Sequence, residues 1–286
     1  RPPRELNMDY IITLSCPDKP GLVLAVSSWL VANSCNILDS DQFQDGSNNT
    51  FFMRVHFEGE ATLKALEHSF EPVATGKQVS WQIWPCSQKP KVLIMVSKQE
   101  HCLTDLLFRE KNGELPIEIA LVASNHLDAK PIAVAQNIDF RHLPIDPDSK
   151  AAQEKLLLEE IQRRGINVVV LARYMQILSP EFCHAMAGKI INIHHSFLPG
   201  FKGAKPYHQA FEHGVKLIGA TAHYVTAELD EGPIIEQGIE RVGHRSTVAD
   251  LVNVGRDIER IVLAKAVKYH AEHRVLLNGH RTVVFQ

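Results

Sequence analysis

The side chains best suited to chemistry stand in two short stretches. Lys189-Ile190-Ile191-Asn192-Ile193-His194-His195-Ser196-Phe197-Leu198-Pro199 begins as an apolar, strand-like run and ends in loop-forming residues. Side chains two apart on a strand share a face. Asn192 and His194 therefore point the same way, and Ile191 and Ile193 point into packing. The run places an amide donor and an imidazole together at the C-terminal end of a strand, where open α/β sheets bind ligands. Further on, Glu228-Leu229-Asp230-Glu231-Gly232-Pro233 sets acidic residues ahead of Gly-Pro, a loop signal. A carboxylate there can pair with an imidazole, raise its pKa and orient a water. Bland readings stand beside this one. The chain has 15 histidines, so most of them do nothing catalytic. Asn and Asp in loops usually form turns. His195 points elsewhere unless the chain turns, and the divergence of neighbours on a strand disfavours a metal site built from His194 and His195.

These residues need a frame, and the chain supplies two. Tyr10–Ser15 reads as a strand, Cys16–Gly21 as a turn, and Leu22, Val26, Trp29 and Leu30 as one face of a helix. Ile37–Gln44 reads as a strand leading into a turn at Asp45-Gly46. Phe51, Met53, Val55 and Phe57 then alternate with Phe52, Arg54 and His56 on the opposite face of the next strand. Leu63, Leu66 and Phe70 mark a second helix, and Val79, Trp81 and Ile83 a last strand. The order βαββαβ is a complete α+β unit of ferredoxin-like type over residues 8–85, with 86–90 as linker.

Beyond the linker, Val92–Val96, Ile117–Ala123 and Val168–Leu171 are near-continuous apolar runs, as expected of parallel strands covered on both faces. Helical stretches, clearest at Lys150–Arg164, separate them. Residues 91–286 are thus expected to form a doubly wound, mostly parallel α/β domain of Rossmann-like type. A long helix over Thr247–Glu272 and a hairpin around Asn278-Gly279 complete it.

Composition narrows the functional classes. Of the 286 residues, 45% are hydrophobic and the formal net charge is -3, which fits a globular protein and offers no basic tract for nucleic acid. Five scattered cysteines without a CxxC pair argue against both a disulfide framework and a zinc site. No apolar run reaches the length of about 18 residues that a membrane helix requires. A cytoplasmic setting is expected, with no signal peptide visible behind Arg1-Pro2-Pro3-Arg4, a start that lacks an initiator Met and suggests a trimmed chain.

Asn192-Ile-His194-His-Ser-Phe-Leu-Pro199 together with Asp230 in Leu-Asp-Glu-Gly-Pro resembles the folate-dependent formyltransferase family over about residues 91–275. The resemblance implies that Asn192, His194 and Asp230 are catalytic. Leu171-Ala172-Arg173-Tyr174-Met175-Gln176-Ile177-Leu178 resembles the family's pterin loop, so Arg173, Met175, Gln176 and Leu178 are expected to line a folate pocket, with main-chain atoms of 225–230, including Val225. The run from His194 through Lys-Gly-Ala-Lys-Pro-Tyr-His208 resembles the deformylase branch, which uses water as acceptor, and transferases commonly have Pro where His195 stands. Residues 8–85, with Asp18-Lys19-Pro20-Gly21-Leu22 as the ligand-loop signature, resemble an ACT domain, a combination that fits the same branch.

The resemblance therefore implies hydrolysis of 10-formyltetrahydrofolate without metal or cofactor and an amino-acid effector at the ACT-like domain. The edge strands and exposed helix face of that domain lead us to expect a homo-oligomer, and the composition leads us to expect no nucleic-acid or membrane partner. Two alternatives remain: a formyltransferase passing the group to an amine such as glycinamide ribonucleotide, and an amino-acid-binding regulator whose large domain has lost catalysis. The segment after the first large-domain strand, Ser97-Lys98-Gln99-Glu100-His101-Cys102, has no glycine to cradle a phosphate, although Lys98 alone could hold one. That departure favours water as the acceptor.

Overall fold

The computed structural model describes residues 8–75, 78–144, 146, 148–200 and 206–286. It divides into two compact units. The first runs to Lys89 and also takes in Glu272–Leu276 and Val283–Gln286; the second comprises Pro90–Ala271 and Leu277–Thr282.

In the first unit, β1 (Met8–Pro17), α1 (Leu22–Ala32), β2 (Asn36–Asp45), β3 (Thr50–Gly59), α2 (Leu63–Ala74) and β4 (Ser80–Pro85) follow one another in the expected order. The sheet is antiparallel with strand order β2-β3-β1-β4. Phe51, Met53, Val55 and Phe57 pack with Leu22, Val26, Trp29, Leu30, Leu66 and Phe70 in one core. The opposite face of β3 is covered as well: Phe52 and Arg54 are 1% and 2% exposed. Arg54 gives Nε and Nη2 hydrogen bonds to the Glu272 carbonyl at 3.2 and 3.0 Å, and Trp84 stacks on His273 at 3.8 Å. The C-terminal segment of the chain thus closes a face that strand alternation leaves open.

The second unit contains β5 (Lys91–Val96), α3 (His101–Lys111), β6 (Glu118–Ser124), α4 (Lys130–Ala135), β7 (Phe140–His142), α5 (Lys150–Arg164), β8 (Val168–Leu171), α6 (Pro180–Ala185), β9 (Ile190–His194), α7 (Pro206–Glu212), β10 (Leu217–Tyr224), β11 (Ile234–Arg241) and α8 (Val248–Ala271). The strand order is β11-β10-β9-β8-β5-β6-β7. The β9-β8-β5-β6-β7 pairs are parallel, whereas β10 runs antiparallel to both β9 and β11. Val92–Val96 and Val168–Leu171 are buried throughout, as strands covered on both faces must be. The chain leaves β5 toward β6 on one side and returns to β8 on the other, which creates a switch point at the C-terminal ends of the central strands. The terminal hairpin pairs β12 (Val275–Asn278) with β13 (Arg281–Val284). Among the described residues no helix is long and apolar enough to cross a membrane.

Candidate active site

Strands β9, β8 and β5 are neighbours, and the loops leaving their C-terminal ends meet. Ser97, just past β5, ties two of them together. Its N–H donates to the Arg173 carbonyl at 3.2 Å, and its hydroxyl accepts from Met175 N–H at 2.9 Å. The loop after β8 is thereby held against the end of β5. A cavity of about 370 Å³ opens here, and Arg173, Met175, Gln176, Leu178, Asn192, His194, His195, Val225 and Asp230 all line it. The structure therefore gathers every site residue expected from the sequence around one space of a size suited to a small ligand.

At its base, His194 Nδ1 lies 3.3 Å from Asp230 Oδ2. A carboxylate only accepts hydrogen bonds, so the imidazole donates through Nδ1. Its Nε2 is buried and has no hydrogen-bond partner among the described residues. Burial pushes the Asp230 carboxyl up, but the hydrogen bond from the His194 imidazole leads the effects that outweigh it and hold the group well below the usual carboxylate range. Asp230 has a left-handed backbone, φ 57°. Two residues on, a Cβ on Gly232 would lie 1.6 Å from the Tyr224 carbonyl oxygen. This close approach lets the loop fold back over β10, and Tyr224 N–H donates to the Pro233 carbonyl at 2.9 Å.

His223 is a site residue that sequence reasoning missed. It is 2% exposed and stands opposite Asn192 in the β9–β10 pairing. Its Nδ1 lies 2.9 Å from the Tyr224 carbonyl, which can only accept, so Nδ1 carries the proton. In the neutral ring Nε2 is then an acceptor, and it takes a hydrogen bond from Asn192 Nδ2 at 3.2 Å. That bond fixes which end of the Asn192 amide is which and leaves the second Nδ2–H for the cavity. At 3.7 Å from Asp230 Oδ1, His223 is beyond hydrogen-bond reach of the carboxylate. Only the β9–β10 register could have revealed it.

His195 does not diverge from His194 as regular strand alternation requires. Strand β9 ends at His194, the chain turns, and the two rings lie 5.3 Å apart, both lining the cavity. Burial, with the Arg173 charge next, pushes the His195 imidazole down to about 3, so it stays neutral. Residues 201–205, which fall in the run from His194 to His208, lie outside the described residues.

Comparison with known proteins now decides the family. Residues 90–267 match the family model described as formyl transferase, and residues 9–82 match an ACT domain. A formyltetrahydrofolate deformylase of Corynebacterium sp. (strain P-1) is 51% identical over 97% of this chain and 98% of its own length. The crystal structure of the formyltetrahydrofolate deformylase from Burkholderia mallei superposes with a TM-score of 0.94 at 52% identity, covering 98% of this chain and all of that one. The chain belongs to the formyltetrahydrofolate deformylase family. A glycinamide ribonucleotide transformylase from Symbiobacterium toebii is more distant, with 32% identity, a TM-score of 0.65 and 69% of this chain covered.

In this deformylase-family chain a second buried cluster adjoins the cavity. Glu259, on α8 and 1% exposed, accepts from Tyr207 Oη at 2.6 Å and pairs with His101 Nε2 at 2.6 Å. Burial raises its carboxyl, but His101, Arg173 and Tyr207 together hold it below its ordinary value. His101, Cys102 and Glu259 place potential metal ligands within 4.8 Å of one another. The donor set is a poor one. Both Glu259 oxygens are engaged, burial pushes the Cys102 thiol far up, and the Arg173 cation lies 3.6 Å from Glu259.

Proposed function

We propose that the chain hydrolyses 10-formyltetrahydrofolate to formate and tetrahydrofolate by metal-free attack of water on the formyl carbon, a reaction of one-carbon metabolism. The observation that carries this reading is the pairing of Asp230 with His194 while His194 Nε2 stays buried and unpartnered beside Asn192. With its Nδ1–H committed to Asp230, His194 is left with Nε2 as the ring atom that can exchange a proton at the reacting centre. Asp230 orients both the imidazole and the water. His194 takes the proton as water adds, and the resulting imidazolium is stabilised by the carboxylate. The formyl oxygen becomes an oxyanion, and the second Nδ2–H of Asn192 donates to it; one such donor is typically worth about 10²–10³ in rate. The C–N bond then breaks, and His194 returns the proton to the leaving nitrogen. Acid–base work of this kind contributes about 10²–10⁴. Met175, Gln176, Leu178 and Val225 line the folate side, and neutral His195 adds a polar wall.

The segment 97–102, with no glycine, supports water as the acceptor: it sends His101 into the Glu259 carboxylate rather than forming an open anion cradle. The test is product analysis with no acceptor added. Formate and tetrahydrofolate should accumulate at a rate unchanged by glycinamide ribonucleotide. Formylated ribonucleotide with little formate would establish the transferase instead.

His223 acts by positioning. His223→Phe is expected to leave KM nearly unchanged and lower kcat by about 10²-fold, because the Asn192 amide loses its orienting acceptor. His223→Gln, which keeps a polar group near Asn192, should recover part of the loss. Unchanged kcat in a folded His223→Phe variant would remove this role. Residues 8–85 supply a regulatory ACT-like module for an amino-acid effector and for self-association. A cytoplasmic setting agrees with five cysteines, none of which is in a disulfide.

A further inference from the structure

Arg173 stands apart from its neighbours in the cavity wall. Its backbone is left-handed, φ 64°, a conformation few non-glycine residues adopt and one that clusters at functional sites. The residue is 7% exposed and lines the cavity. The guanidinium lies against the buried Glu259, with Nε 3.6 Å from Oε2, close enough for charge compensation and too far for a hydrogen bond. The oxygens of Glu259 are already taken by Tyr207 and His101. Nε and Nη1 of Arg173 have no hydrogen-bond partner among the described residues. Four buried side-chain atoms share that condition, and three of them, these two and His194 Nε2, belong to residues lining this one cavity. Buried donors are normally satisfied, so their concentration here points to a ligand.

The charge balance says which ligand. The described residues lining the cavity include two carboxylates, Glu228 and Asp230, and Arg173 is the one Lys or Arg among them; Glu259 offsets part of its charge, but at His195 the Arg173 charge ranks ahead of that of Glu259. Hydrolysis adds the water oxygen to the formyl carbon, breaks the C–N bond, returns a proton to the leaving nitrogen and releases a second proton from the new acid. An anion with charge on two oxygens is left beside Asp230. Like charges so close repel unless a cation intervenes, and guanidinium is suited to carboxylates.

We infer that Arg173 forms a carboxylate subsite that holds the formate product. This rests on the hydrolytic reading of the site.

Product inhibition of the full-length enzyme by sodium formate, with sodium chloride as the ionic-strength control, tests it. Arg173→Gln should raise the formate inhibition constant by about tenfold or more, the usual loss for a hydrogen bond to a charged group. The formate inhibition constant should rise by a larger factor than the KM for the formylated folate, since the product anion exists only after hydrolysis. Arg173→Lys should recover part of the formate affinity. Equal formate inhibition in wild type and folded Arg173→Gln overturns the inference, as does a raised KM with an unchanged inhibition constant, which would assign Arg173 to the folate. Should Arg173→Gln fail to fold by circular dichroism, titration of the wild type and Arg173→Lys with ¹³C-formate in the presence of tetrahydrofolate decides. Saturable broadening that is weaker in Arg173→Lys supports the subsite, and its absence in the wild type overturns it. Failure of the hydrolytic reading itself would look different: no formate would be released from the substrate by the wild type.

Discussion

Asp230→Asn is expected to lower kcat by about 10³-fold or more while the protein stays folded, within the range that acid–base work and its orientation supply. The substitution is nearly isosteric. Asn tolerates the left-handed backbone that Asp230 adopts better than most residues, so the loop need not move. What changes is charge. An amide can still accept one bond from His194 Nδ1, now 3.3 Å from Oδ2, but it cannot stabilise the imidazolium formed when His194 takes a proton. Steady-state kinetics beside circular dichroism measure this, and near-normal turnover in a folded variant would take Asp230 out of the mechanism. A pH dependence goes with it. The folded Asp230 carboxyl titrates below its unfolded value of about 3.9, so its ionised form stabilises the fold above that pH. This contribution is lost as pH falls through the folded pKa. The wild type should therefore exceed Asp230→Asn in stability at neutral pH, and the gap should close only in strong acid.

Gly232→Ala is the second large effect. A Cβ at Gly232 would sit 1.6 Å from the Tyr224 carbonyl oxygen and 2.8 Å from its carbon. Both are backbone atoms, and Tyr224 is also bonded to Pro233 across the same loop. Nothing there can rotate away, so the loop must lift from β10. Asp230 moves with the loop, and His223 lies beside the displaced carbonyl. The expected cost is about 1–3 kcal/mol or more in stability and about 10²-fold or more in kcat/KM from misplacement alone. Gly243→Ala is the control, since its added Cβ meets nothing within 4 Å. Differential scanning calorimetry and kinetics on both variants check the argument. Equal melting and equal activity would show that the loop yields without consequence.

Local pattern carried much of this molecule. The alternation of Phe51, Met53, Val55 and Phe57 identified a half-buried antiparallel strand, and the apolar runs at 92–96 and 168–171 identified strands covered on both faces. Asn192 and His194 could be paired because a two-residue offset has one geometric meaning in a strand. The antiparallel β10 and β11 escaped, because Gly219 and Gly238 interrupt their apolar character and the pairing that stabilises them is remote. The burial of Arg54 escaped for a similar reason. Its partner, the Glu272 carbonyl, is 218 residues away in sequence.

The sequence by itself carried the two-part α/β organisation and the family resemblance, and through that resemblance it pointed to Asn192, His194 and Asp230 as the candidate constellation. These follow from periodicities and spacings that act over a few residues, or from motifs that stand in the chain as written. The tertiary structure alone decided the rest. It turned His195 toward the same cavity as His194, set His223 behind Asn192, and drew the Arg173 side chain onto Glu259 of α8. Each of these depends on strand register, on where a strand stops, or on a hydrogen-bond partner supplied by a distant element. Such terms are set by the closing of the whole sheet and its helices, and no local window of sequence contains them.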